Sequence, residues 1–209
     1  MKQIALLLLA LLALALPASA QRPYVMLDVQ VKPLPSLGIS YDARFRPNSP
    51  WGYRVGLGFA HGSTTKADLP RVAALVPAFR PADHFDAPLS YRSSMTGAYV
   101  PLEVNFLPGR GPLRFECALG ITAGLFGSNE QAEVQLPEGL QSKEEKRTLG
   151  SFSVYSNLGL RYQTDRGLMF RLGVTPEIMP TETRRAPSSS MDLLYPFLLS
   201  AYLSVGYTF

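Results

Sequence analysis

Apolar and polar residues alternate one for one through most of this chain. Between Leu37 and Phe45, Leu37, Ile39, Tyr41, Ala43 and Phe45 share one parity, and Gly38, Ser40, Asp42 and Arg44 the other. After Pro47-Asn48-Ser49-Pro50 the pattern resumes, with Trp51, Tyr53, Val55, Leu57 and Phe59 against Gly52, Arg54, Gly56 and Gly58. A period of two places successive side chains on opposite faces of a strand, so this stretch is a hairpin. The same alternation predicts strands over about 24–31, 94–107, 113–126, 151–163, 168–178 and 195–209. That makes eight strands of barrel-like length.

The connections fall into two classes. Those around Pro47–Pro50, Pro108–Pro112 and Thr164–Gly167 are tight and rich in Pro, Gly, Asn and Asp, as turns require. Those at 61–93, 127–150 and 179–194 are long and polar, while the link at Lys32–Pro35 is short. Tight turns therefore gather at one end and long loops at the other, with both termini at the tight-turn end.

Side-chain volume decides which face is inside. The lumen of an eight-stranded barrel is just wide enough to be filled by side chains. The face carrying Leu, Phe, Tyr, Trp and Val would overfill it. The opposite face carries Gly38, Gly52, Gly56, Gly58, Gly97, Gly120, Gly124, Gly159, Gly173 and Gly206. It also carries Asp28, Asp42, Glu103, Glu116 and Glu177 with Arg44, Arg54, Arg114, Arg161 and Arg171, and no lysine. Matched carboxylates and guanidinium forks suit a buried ion-pair network, with Tyr99, Tyr155 and Tyr202 filling space beside it. The apolar face is then outward and meets lipid. Phe45, Trp51, Tyr53, Phe106, Phe115, Tyr162, Phe170, Tyr207 and Phe209 lie beside the tight turns, the arrangement of an aromatic girdle at a membrane interface.

Composition agrees. Charged residues make up 17% of the chain, below the roughly 25% of soluble domains. A net charge of +4 without a basic block gives no nucleic-acid signal. Residues 1–20 read as a cleaved signal peptide, with Lys2, an apolar run from Ile4 to Leu16, and Ala18-Ser19-Ala20. Residues 21–209 then form one domain. The lone Cys117 has no partner for an internal disulfide and has lipid-facing parity.

A signal segment, eight amphipathic strands and a last strand ending "LSVGYTF" resemble the small OmpA/OmpX-type outer-membrane β-barrels of bacteria. The runs "LGISYDARF", "YVPLEVNFLPGRGPLRFECALGITAGLF" and "NLGLRYQTDRGLMFRLGVTPEI" resemble barrel proteins of the Bacteroidota. The resemblance implies a closed antiparallel eight-stranded transmembrane barrel, up-and-down, in the bacterial outer membrane. It implies assembly through a C-terminal signal at Phe209, contact with outer-membrane lipid and lipopolysaccharide, and a monomer. It carries no soluble domain for anchoring to peptidoglycan.

Candidate chemistry is sparse. His61 and Ser63 in "FAHGST" are two apart and share a strand face. With an acid from Asp68, Asp83 or Asp86 they could act as base and nucleophile of a lipid-modifying hydrolase, a motif that resembles outer-membrane lipid A deacylases. His84 with Asp83 and Asp86 offers a sparse metal set. The favoured expectation has no catalytic, cofactor or metal residues: a plugged lumen with surface loops in structural or interaction roles. A narrow pore for small solutes is a further alternative.

Overall fold

The computed structural model describes residues 23–31, 35–46, 48–66, 69–81, 88–178 and 197–208. Outside them lie the expected signal segment, all of the expected loop 179–194, Phe209, Asp68, Asp83, His84 and Asp86. The strands are β1 Tyr24–Val31, β2 Ser36–Arg44, β3 Trp51–Thr64, β4 Leu89–Phe106, β5 Leu113–Leu136, β6 Gly139–Gln163, β7 Leu168–Ile178 and β8 Phe197–Thr208. A short helix, α1, spans Leu69–Leu75. Each strand pairs antiparallel with its sequence neighbour, and β1 closes on β8 with Tyr24 opposite Thr208 and Leu27 opposite Val205. At the tight-turn end Asn48 and Gly167 hold positive φ, 61° and 85°; the left-handed conformation suits Asn and Gly and lets the chain reverse within a few residues.

The parity assignment holds around the barrel. Ile39, Leu57, Leu119, Leu172 and Leu199 are each more than 60% exposed on the outer face. Asp42, Glu103, Glu116, Arg161 and Arg171 are buried in the lumen. On β5 the apolar outer run from Leu113 to Leu125 covers about 40 Å along the strand at roughly 3.3 Å per residue, or about 28 Å once tilted by roughly 45°. That matches the hydrocarbon thickness of a bilayer. Trp51 stacks on Phe106 at 4.7 Å and Phe45 on Tyr53 at 5.5 Å beside the tight turns, as a girdle.

The lumen fills by fitting tyrosines onto glycines. A Cβ on Gly58 would collide with the Tyr99 ring, and one on Gly120 would lie 2.5 Å from Tyr155 Cζ. The Tyr202 hydroxyl sits against Gly159 and Gly173.

Residues 127–150 are not a loop. β5 and β6 continue in unbroken register from Gly127↔Thr148 to Leu136↔Gly139, so the expected long connection is a hairpin closed at Pro137-Glu138. β4 likewise begins at Leu89, inside the expected loop 61–93, and α1 lies in the same connection. The physical reason is a reversal of the two faces. Beyond Leu125 the outer face becomes polar, with Asn129, Gln131, Glu133 and Gln135, while from Ala132 the inner face becomes apolar, with Ala132, Val134 and Leu136 buried. Those side chains pack with Tyr91 against Val72, Leu75, Val76 and Phe79 of α1 and the turn after it. Below Leu125 the surroundings dissolve apolar groups; above it they do not.

Candidate functional site in the barrel lumen

The lumen holds one continuous chain of charge. Arg54 donates to Asp28 Oδ1 at 3.2 Å and to Glu103 Oε2 at 2.6 Å. Arg171 reaches the other oxygen of Glu103 at 3.2 Å and grips Glu116 with two bonds, 2.6 and 2.8 Å. Arg161 holds Glu116 from the opposite side, with two bonds of 3.0 Å, and takes Asp42 with bonds of 3.0 and 2.7 Å. The order is Asp28–Arg54–Glu103–Arg171–Glu116–Arg161–Asp42, one residue from each of β1 to β7. From β8, the Tyr202 ring lies 5.2 Å from the Arg171 guanidinium. Charges buried this deeply persist only when paired and hydrogen-bonded.

Two asparagines complete the network, and their role was not visible in the alternation. Asn105 donates to Asp42 at 3.0 Å and accepts from Arg44 at 3.2 Å. Asn157 donates to Glu103 at 2.5 Å and accepts from Thr175 at 2.5 Å. An amide that donates on one side and accepts on the other can join unlike neighbours, so inward Asn is the signal to look for. Ser40 donates to Asp28, and Ser153 to Glu177 at 2.6 Å. Tyr99 donates to Ser36 at 2.9 Å, with Met95, Phe126 and Ala60 packed beside it towards the far end of the lumen.

The expected five-against-five pairing is corrected. Arg44 binds the Pro50 carbonyl at 3.0 Å and Asn105, while Arg114 binds Gln163 at 2.9 Å; neither meets a carboxylate among the described residues. Both sit at the tight-turn ends of their strands, below the chain of charge. There they line a cavity of about 960 Å³ whose floor includes Asp42 and Arg161. A void of about 20 Å³ bounded by Asp28, Arg54, Tyr99, Tyr155 and Glu177 lies elsewhere in the lumen, room for roughly one water. The fully buried Arg161, Glu116, Arg171, Asn105 and Asn157 occupy the section between.

His61 and Ser63 are exposed on the outer face of β3 near its far end. Among the described residues the imidazole Nδ1 partner is the Thr96 hydroxyl, 2.7 Å away, not a carboxylate. Cys117 has the outward parity expected and is free. Among the described residues no group of His, Cys, Asp and Glu is arranged to hold a metal ion.

No family model matches this chain, and no curated protein matches its sequence. Solved structures do. A major outer membrane protein from Thermus thermophilus aligns over 90% of this chain and 100% of that one, at 12% identity and a TM-score of 0.57. The N-terminal β-barrel domain of Pseudomonas aeruginosa OprF aligns over 90% and 96%, at 10% identity and a TM-score of 0.43. Ail, the attachment invasion locus protein of Yersinia pestis, solved with the heparin analogue sucrose octasulfate, aligns over 90% and 99%, at 12% identity and a TM-score of 0.43. The chain has the fold of the small eight-stranded outer-membrane β-barrels. These likenesses do not bear on the Bacteroidota part of the resemblance.

Proposed function

We propose that this protein is an integral outer-membrane protein whose barrel is a closed, rigid anchor and whose working part is the projecting β5–β6 hairpin with α1. The face reversal at Leu125 carries this reading. A sheet whose outer face is apolar over a bilayer's thickness and polar beyond it is matched to hydrocarbon below and water above. The ten residues 127–136 add about 30 Å of strand beyond the belt, far more than closing a barrel requires.

The hairpin is suited to display rather than to catalysis. Its inner face is braced by α1 and by the Arg71–Glu130 ion pair at 3.2 Å. On β6 the charges pair along the strand, Lys146 with Glu144 at 2.9 Å and Arg147 with Glu145 at 2.6 Å. A stiff, charge-rich ribbon of this kind offers both signs to lipopolysaccharide headgroups or to another surface molecule. Contact with the barrel-assembly machinery through the last strand, and a monomeric state, belong to the same proposal. The filled lumen favours an anchor over a pore.

Surface labelling tests it. In a Cys117→Ser background, Ser142→Cys on the hairpin should react with a membrane-impermeant maleimide on intact cells, and Gly109→Cys in a tight turn should react only after lysis. Equal reaction of both on intact cells, or recovery of the protein in the soluble fraction, would overturn the reading.

A further inference from the structure

We infer that the cavity at the tight-turn end is a binding site for a small, multiply charged anion carrying phosphate or carboxylate groups. Arg44, Arg110, Arg114, Arg161 and Arg166 line it against Asp42 and Asp165, a formal excess of three positive charges around about 960 Å³. That volume lies within the range of small-ligand pockets, roughly 300–1,000 Å³.

The acids among the described residues of the wall cannot neutralise the excess. Both oxygens of Asp42 are held by Arg161, and Oδ2 also accepts from Asn105. Arg161 is in turn satisfied by Asp42 and Glu116. Arg44, only 8% exposed, keeps an Nη2 with no hydrogen-bond partner, and Arg114 keeps an Nε in the same condition, among the described residues. These two atoms are themselves buried, and Arg54 Nε and Arg171 Nη1 away from the cavity share their condition, so the excess charge of the wall carries the inference; the planar guanidinium fork is matched to the oxygens of phosphate and carboxylate. Gln163 and Thr208, also on the wall, add neutral polar groups.

Placement adds selectivity. Asn48, Gly109, Arg110, Asp165 and Arg166 come from the tight turns, so the cavity opens at that end. A charged recess walled by a protein barrel focuses its field on the opening. The recess lies inside the ring of strands, so its ligand arrives from water rather than from the plane of the membrane. That the water is periplasmic rests on the proposed outer-membrane location; the binding does not.

The full chain, folded in an uncharged maltoside detergent at low ionic strength, should be titrated calorimetrically with sodium pyrophosphate and, separately, with citrate. Saturable binding of either is expected, weakened at least tenfold in Arg114→Gln. Because that side chain is partly structural, a second variant, Arg110→Ala with Arg166→Ala, changes only exposed turn residues and should weaken binding as well. Absence of saturable binding of both anions, or unchanged affinity in both variants, would overturn the inference. Cell fractionation decides the membrane location independently, so the two failures are distinguishable.

Discussion

Arg161 and Asp42, 119 residues apart in sequence, face each other through two nearly parallel hydrogen bonds of 3.0 and 2.7 Å across the lumen. Neither side chain is more than 2% exposed. The pair joins β6 to β2, which share no backbone pairing in the sheet. Its loss leaves a buried carboxylate without its cation, so Arg161→Ala and Arg171→Ala should each cost about 3–5 kcal/mol. Urea unfolding from lipid vesicles measures this, and a loss below about 1 kcal/mol would mean the lumen is wet.

Arg114→Ala should behave differently. Sequence parity puts Arg114 in the same class, but among the described residues it surrenders a hydrogen bond to Gln163, worth about 1 kcal/mol. A loss as large as that of Arg161→Ala would contradict the separation of the two groups.

The face reversal gives a positional test on one strand. Leu119→Arg places a charge in the apolar belt and should cost about 2–4 kcal/mol near the bilayer midplane. Leu199→Arg on β8 should do the same. Gln131→Arg has the same parity as Leu119 but lies beyond Leu125, and should change vesicle-folded stability by less than about 0.5 kcal/mol. Similar losses at 119 and 131 would mean the belt ends elsewhere.

Packing of glycine on tyrosine predicts a suppressor. Each of the three nearest atoms to a Cβ on Gly58 belongs to the Tyr99 ring. Gly58→Val should overpack the lumen at a cost of about 1–3 kcal/mol, and Tyr99→Ala in the same chain should recover much of the loss. Absence of recovery would place the obstruction in the backbone.

The hairpin should respond to acid through Glu130. Burial holds its carboxyl above the ordinary 4.5, against the pull of Arg71. The folded hairpin therefore binds this proton more readily than the unfolded chain. Stability from this residue is gained as pH falls through the raised value, and the gain is complete below 4.5. Amide exchange of α1, corrected for intrinsic rates, should slow across that window in the wild type relative to Glu130→Gln. Equal pH dependence in the two would refute it.

What was legible in the sequence was whatever depends on parity alone. Leu119 outward and Glu116 inward follow from a period of two, and no tertiary detail changes that. Height along the barrel is a different matter. Arg44 and Arg161 have the same inward parity, but Arg44 ends β2 and reaches the Pro50 carbonyl and Asn105, while Arg161 reaches Asp42 and Glu116, so only the second joins the chain of charge. The hairpin was masked by its charge density. Ala132, Val134 and Leu136 alternate with Gln131, Glu133 and Gln135, but the run Lys143-Glu144-Glu145-Lys146-Arg147 on the return strand has the composition of a solvated loop. α1 escaped because seven residues carry too little helical period to stand out. Spacing puts His61 and Ser63 on one face but does not say which group holds the imidazole; the Thr96 hydroxyl on the neighbouring strand does.

The chain of charge draws one residue from each of seven consecutive strands. A half-built sheet containing β1 to β4 would hold Asp28, Asp42, Arg54 and Glu103 without Glu116, Arg161 or Arg171, presenting unneutralised ions to hydrocarbon. The network is complete only when β7 is in place, so the ionic order of the lumen belongs to the nearly closed sheet and to no half of it.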